Sequence, residues 1–312
     1  MKTVILGGGG FIGSAVADRL LLEGHAVRIF ERSDVKPHRL YEADDRVEWM
    51  EGDFLNPKHV AEAIGGIDVV LHLVSTTLPM NSNENPIYDV QSNIVGTLQL
   101  LNVMVTRNVK KIIFISSGGT VYGKPRYIPI NEAHPTDPLV SYGITKLAIE
   151  KYLLMYQHLH AIKPVILRVA NPFGERQRIA AAQGAVGVFL HHALNEEPIN
   201  IWGDGSVTRD YIHISDVANA FLKAVEYSGH EPIFNIGSGL GTTLNELLAT
   251  IEKCLGASVA RRYLAGRSFD VPINVLDNSL AMQELGWQPK ISLEEGIART
   301  IQWATNAVTR PC

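Results

Sequence analysis

The stretch SYGITKLAIEKYL, beginning at Ser141, places Tyr142 four residues ahead of Lys146 at the opening of an amphipathic helix. Residues four apart share a helical face, so phenol and ammonium reach one small volume. A free tyrosine titrates at about 10, and a neighbouring cation favours phenolate, which makes Tyr142 a candidate base near neutral pH. Y-x-x-x-K is common by chance, so the pair takes its meaning from its surroundings.

The N-terminal VILGGGGFIGSAVADRLL runs from strand to glycine-rich turn to helix, with Gly7, Gly10 and Gly13 spaced G-x-x-G-x-x-G. Glycines let the backbone turn tightly and approach a pyrophosphate, which then faces free N–H groups and the positive end of the helix. This context predicts a dinucleotide site. Glu31, in RIFERSD, lies roughly 20 residues on, where a carboxylate accepts from the adenosine ribose hydroxyls. That favours NAD, because a 2′-phosphate would be repelled. Arg32 beside it could bind such a phosphate, so NADP stays open. Asp53, in EGDF, ends the third strand at the same edge; it either accepts from the adenine amino group or caps its own loop.

The elements needed to position these groups are legible as alternation. TVILGG, AVRIFER, VEWMEGD, DVVLHLVS, KIIFISS and PVILRVA are short, mostly apolar runs suited to buried parallel strands. Segments of helical period lie between them, at Gly13 to Glu23, Val90 to Arg107 and Tyr142 to His160. Repeated β-α alternation predicts an α/β fold with a Rossmann-type doubly wound parallel sheet. The expected division is a dinucleotide-binding domain over 1–170, with parts of the later chain returning to it, and a smaller α/β substrate-binding lobe over 171–312. Helices near Asp216 to Tyr227 and Leu244 to Leu255 belong to that later part.

The chain has 312 residues, 46% hydrophobic and 19% charged, enough for a sizeable core. A formal net charge of −4 gives no broad attraction for nucleic acid. Cys254 and Cys312 have no metal-ligand spacing and suggest no disulfide framework, which points to a reducing cytoplasm. No stretch reaches the roughly 18 consecutive apolar residues of a membrane span. A soluble protein with a small-molecule partner is expected.

Taken together, GGGGFIG, GDF, SSGGTVYG, YGITK, LRVANPFGERQ, GDGSVTRDYIHISDVA and GRSFDVP resemble the extended short-chain dehydrogenase/reductases over nearly the whole chain. Within them the sequence is most similar to nucleotide-sugar 4-epimerases of the UDP-glucose 4-epimerase type. The resemblance implies that Tyr142 takes the proton of the sugar 4-hydroxyl while hydride passes to NAD. The 4-keto sugar then turns over and the hydride returns to its opposite face. Lys146 would bind the nicotinamide ribose and lower the phenol pKa. Phe11, Ile12, Phe54, Leu73, Asn93 and Ser116 are expected near the dinucleotide; Ile12 and Leu73 could equally be core. A homodimer built on the helices at Val90 to Arg107 and Tyr142 to His160, and a place in polysaccharide assembly, are also implied.

One departure matters. The third hydroxyl of the family's S-S-S motif, which relays the proton between sugar and tyrosine, is Gly118 here. Thr120, Ser117, a water or direct contact with Tyr142 would replace it, with Thr120 first. The related nucleotide-sugar 4,6-dehydratases and uronate decarboxylases carry an acidic residue just before V-Y-G to move the C5 proton. Here Gly119 and Thr120 precede Val121 with no carboxylate, so the resemblance disfavours dehydration and decarboxylation. By the same resemblance Arg209 and Arg267 hold the substrate diphosphate, and Asn171 and Asp270 contact the diphosphate and the nucleotide ribose. Asn274 stands where a large tyrosine restricts some relatives to plain hexoses, so an N-acetylhexosamine or uronic acid fits. The alternatives are a net nucleotide-sugar oxidoreductase and a dinucleotide-binding protein that has lost its chemistry.

Overall fold

Seven strands, six of them the short apolar runs, form one all-parallel sheet. The computed structural model describes residues 1–37, 44–78, 82–177, 184–266 and 271–308. In chain order come β1 (Lys2–Leu6), α1 (Phe11–Leu22), β2 (Ala26–Glu31), β3 (Val47–Glu51), α2 (Pro57–Ala63) and β4 (Val69–His72). Next are α3 (Pro86–Asp89), a π-helical turn (Val90–Val95), α4 (Gly96–Thr106), β5 (Lys111–Ser117), α5 (Ser141–His160), β6 (Lys163–Val169) and β7 (Asn171–Phe173). The later elements are α6 (Ala185–Leu194), β8 (Ile199–Trp202), β9 (Thr208–His213), α7 (Ile214–Glu226) and β10 (Ile233–Ile236). Then follow β11 (Gly241–Thr243), α8 (Leu244–Leu255), β12 (Arg261–Leu264), β13 (Ile273–Asn274), α9 (Ser279–Glu284) and α10 (Leu293–Val308).

The sheet order is β10-β6-β5-β4-β1-β2-β3. The chain winds outward in both directions from β1, so the crevice between the carboxyl ends of β1 and β4 is the switch point where ligands bind in such folds. Alternate strand residues feed opposite faces, as pleated geometry requires. Ile5, Ile29, Leu71, Ile113 and Leu167 join α1 and α7 in one core. Val4, Leu6, Phe30, Val70, Phe114 and Ile166 join residues of α2, α4 and α5 in another. A third core lies in the later part, around α6, α8 and α10 with β8 and β9. Among the described residues, no helix is long and apolar enough to cross a membrane.

The region read as one helix from Val90 begins instead as a π turn. Asn93 Nδ2 donates to the Asp89 carbonyl at 3.1 Å, and Thr97 Oγ1 donates to the Asn93 carbonyl at 2.6 Å. Side chains that bond the helical carbonyls compete with the regular ladder, and π turns of this kind favour functional sites.

Candidate active site

The first turn of α5 has no side-chain cap of its own; its preceding residue is Val140. The 82–83 segment caps it instead: Ser141 N–H donates to Asn83 Oδ1 at 2.9 Å, and Tyr142 N–H to Ser82 Oγ at 3.1 Å. Tyr142 is half-buried, and its hydroxyl makes no hydrogen bond among the described residues. Lys146 is buried; its Nζ donates to the Ile115 carbonyl of β5 at 3.0 Å, and lies 4.8 Å from the Phe114 ring centroid and 5.6 Å from that of Tyr142.

The protein's own field on the phenol is opposite to the sequence expectation. Burial, reinforced by the negative Asp89, pushes Tyr142 up to about 12. Burial likewise lowers Lys146 to about 8, opposed by Asp89 and Glu150. The ammonium spends its hydrogen bond on a backbone carbonyl, so a further cation beside the ring is needed to bring the phenol into the neutral range. His72, buried between Phe54 and Phe114, is pushed down to about 3 by burial and by Lys146, and is therefore neutral.

The glycine loop is shaped as a cradle. Gly7 has φ +85°, and a Cβ there would lie 3.2 Å from Val74 N. A Cβ on Gly13 would press into the Gly7 carbonyl and sit 2.6 Å from Gly8 Cα. Only glycine fits either place. Gly10 is the N-cap residue of α1, and the N–H groups of Phe11, Ile12 and Gly13 have no acceptor among the described residues. Glu31 accepts from Gly9 N–H and Arg32 N–H, each at 3.1 Å, which holds its carboxylate over the loop. Arg32 pairs with Asp34 at 3.3 Å, both exposed. Asp53 accepts from Leu55 N–H at 2.9 Å in the loop-capping geometry, and stands exposed.

Three expected cofactor contacts have their side chains committed elsewhere. Phe54 is buried against His72. Asn93 is buried; its Nδ2 donates to Asp89 Oδ1 at 2.9 Å and its Oδ1 accepts from Thr76 N–H at 3.1 Å. Ser116 Oγ donates to Glu150 Oε1 at 2.5 Å, inside a buried network. Phe11, Ile12 and Leu73 are partly buried at the rim of the first core.

Gly118 explains its own identity. A Cβ there would sit 2.5 Å from Leu276 Cδ1 and 3.0 Å from the Arg168 carbonyl. Leu276, fully buried, leaves no room for a hydroxyl at position 118. Thr120 Cβ packs 3.2 Å from the place a Gly143 Cβ would take, one residue from Tyr142, and its Oγ1 is buried without a partner among the described residues. Gly118→Ser should therefore not restore a relay hydroxyl at no cost. We expect about 1–3 kcal/mol of overpacking cost. Leu276→Ala opens a cavity of its own, so the clash is read as the coupling in a double-mutant cycle of Gly118→Ser with Leu276→Ala. Denaturant midpoints of both single variants and the double decide it, and purely additive losses would discount the clash.

Across the sheet edge, Asn171, Ala185, Trp202, Val207, Arg209, Tyr211 and Leu244 line a solvent-open cleft of about 210 Å³. Asn171 Nδ2 donates to the Asp210 carbonyl at 2.9 Å. Arg209 donates to the Thr208 and Val271 carbonyls at 2.9 and 2.6 Å. Trp202, Tyr211 and Leu244 were not singled out from sequence, although an exposed tryptophan beside Gly-Asp-Gly is the kind of residue that stacks on a base. Asn274 is buried, with Nδ2 donating to the Gly118 carbonyl at 3.1 Å and Oδ1 without a partner among the described residues. Arg267 and Asp270 lie outside the described residues.

Residues 3–237 match a family model described as the NAD dependent epimerase/dehydratase family. The putative UDP-glucose 4-epimerase of Methanocaldococcus jannaschii is 37% identical over 97% of this chain and 98% of its own. The dTDP-4-dehydro-6-deoxyglucose reductase of Escherichia coli is also 37% identical, over 96% of each chain. The UDP-glucose 4-epimerase of Thermotoga maritima, solved with UDP-glucose, matches with a TM-score of 0.92 at 34% identity, covering 99% of this chain and 100% of that one.

Proposed function

We propose that this chain, which belongs to the NAD dependent epimerase/dehydratase family, inverts C4 of a UDP-sugar. The observation that carries the reading is convergence on one sheet edge. The glycine cradle after β1, the Tyr142–Lys146 pair opening α5 and the Arg209 cleft all lie beyond the carboxyl ends of the parallel strands.

The cradle suits a pyrophosphate, because three amides at the N-terminus of α1 have no acceptor among the described residues and Gly7 and Gly13 leave no Cβ on the loop. Glu31 held over the loop, and Arg32 occupied by Asp34, support NAD over NADP. NAD when bound supplies a hydride acceptor for C4 and a positive ring that favours the phenolate. Tyr142 Oη takes the proton of the 4-hydroxyl and returns it to the 4-keto oxygen once the sugar has turned over. Lys146 holds a positive charge beside it and reaches for the ribose of the nicotinamide. Thr120 Oγ1, buried and unpartnered next to Gly143, takes over the relay that Gly118 lacks. Asn171 and Arg209, with Arg267 and Asp270, hold the diphosphate and ribose. Asn274, smaller than a tyrosine, leaves room for an N-acetyl group or uronate beside plain hexoses, and its Oδ1, without a partner among the described residues, can accept from an acetamido N–H.

In this reading 1–170 holds the dinucleotide and 171–312 mainly the nucleotide sugar, although β10 and α7 return to the first body. Ile87, Val95, Ile144, Met155 and Leu159 are exposed on the neighbouring α3–α4 and α5 segments, which supports a homodimer; a monomer mass by light scattering would remove that assignment. A cytoplasmic location belongs to the same reading.

The test is NMR of UDP-glucose, UDP-N-acetylglucosamine and UDP-glucuronate with purified protein. C4 inversion should proceed without added reductant. Stoichiometric consumption of reduced cofactor with a 4-keto sugar would instead assign a reductase, as the E. coli relative is named.

A further inference from the structure

Four donors from three separate segments converge on one carboxylate. Asp89, the last residue of α3, is fully buried. Its Oδ1 accepts from Thr77 Oγ1 at 2.5 Å and Asn93 Nδ2 at 2.9 Å. Its Oδ2 accepts from Ser141 Oγ at 2.6 Å and Thr145 Oγ1 at 2.9 Å. Four donors match the acceptor capacity of a charged carboxylate. No lysine or arginine pairs with it among the described residues. Ser141 and Thr145 are four apart on α5 and bracket Tyr142, so both hydroxyls pull the same face of the catalytic turn toward Asp89. Thr77 belongs to the segment after β4, and Asn93 to the π turn.

We propose that Asp89 is a positioning residue for the Tyr142–Lys146 pair, tying the first turn of α5 to the β4–α3 segment and setting one negative charge behind both groups. The inference rests on the C4-inversion reading for its kinetic consequence only. Asp89 from α3 faces both groups. Glu150 from α5 also faces Lys146, but is engaged by Arg168 of β6. His72 from β4 is neutral, and β5 presents only the Phe114 ring and the Ile115 carbonyl.

A negative charge there works against ionising the phenol and for keeping the buried ammonium. The second effect has a use. Burial favours the neutral amine of Lys146, and a carboxylate with its hydrogen bonds saturated opposes that without drawing the ammonium away from the cleft. The cost is a phenol that ionises later.

Asp89→Asn separates charge from geometry. The amide keeps the shape, its Oδ1 can face Thr77 and Asn93, and its Nδ2 can face Ser141 and Thr145, whose hydroxyls turn to accept. In the holoenzyme, Tyr142 must lose its proton on the acid limb and Lys146 keep its proton on the alkaline limb. Both limbs of the kcat/KM profile should move about one pH unit toward acid, the low end of a near-charge effect. A lower bell on unmoved limbs would reduce Asp89 to a structural tie and overturn the proposal. Ultraviolet difference titration of the protein, with Tyr142→Phe subtracted, reads the phenol without turnover. It should show the same acid shift even if no UDP-sugar is inverted, and an unshifted phenol would overturn the proposal independently. Asp89→Ser, which removes the charge but keeps a hydroxyl, carries the same expectations should Asp89→Asn not fold.

Discussion

Tyr142→Phe should lower C4 inversion by about 10²- to 10⁴-fold, the contribution of a positioned proton-transfer group, while the protein still folds and retains NAD. The two halves of this expectation come from different atoms. The backbone N–H of Tyr142 bonds Ser82 Oγ and the ring lies beside Lys146, and phenylalanine keeps both contacts. The hydroxyl has no partner among the described residues, so its removal breaks no bond among them and stability should be unchanged. What is lost is the only group on this turn that can take the 4-hydroxyl proton and return it. Single-turnover rates, denaturant midpoints and the bound-NAD content of purified protein separate the outcomes. Full turnover in Tyr142→Phe would remove the residue from its role. Loss of NAD along with activity would show that the ring serves binding instead.

What could be foreseen from sequence was what is local. The strand–glycine–helix start and the four-residue spacing of Tyr142 and Lys146 are short-range, so the cradle and the shared helical face follow from residues read side by side. The parallel sheet followed from β-α alternation. The groups that tune the site are long-range. Asn93 lies four residues from Asp89, but Thr77 and Ser141 meet it only because the segment after β4 and α5 are folded against α3, and no spacing announces that. Leu276 reaches Gly118 from the far end of the chain. Periodicity ran Val90 to Arg107 together because it reports which face is apolar, whereas the π turn arises from side chains that bond helical carbonyls. The sign of the field on Tyr142 was also misjudged, since desolvation outweighs a lysine whose hydrogen bond goes to Ile115.

Ser116 illustrates how far a motif can be from its neighbours, and it leads to the largest expected loss of stability. Its hydroxyl serves Glu150, whose carboxylate meets Arg168 at 2.6 Å with both side chains almost wholly buried. Arg168 also donates to Tyr122 Oη at 2.9 Å, and Tyr122 donates to Asn235 Oδ1 at 2.7 Å. The network therefore clamps α5 to β5, β6 and β10 one turn beyond Lys146. Arg168→Met leaves the Glu150 charge in the core with a single serine donor, and breaking such a pair costs about 3–5 kcal/mol. Arg168→Met/Glu150→Leu removes both charges and should recover most of that loss, because well-packed apolar replacements of a buried pair are often neutral. Denaturation midpoints of the single and double variants measure the coupling. Should the double variant be as unstable as Arg168→Met alone, the damage would come from lost packing around the guanidinium and not from a stranded charge. Lys146 adds a second readout in the double variant: with Glu150 gone, one of the two carboxylates opposing its deprotonation is absent, so the alkaline limb of activity should fall at lower pH even where stability returns.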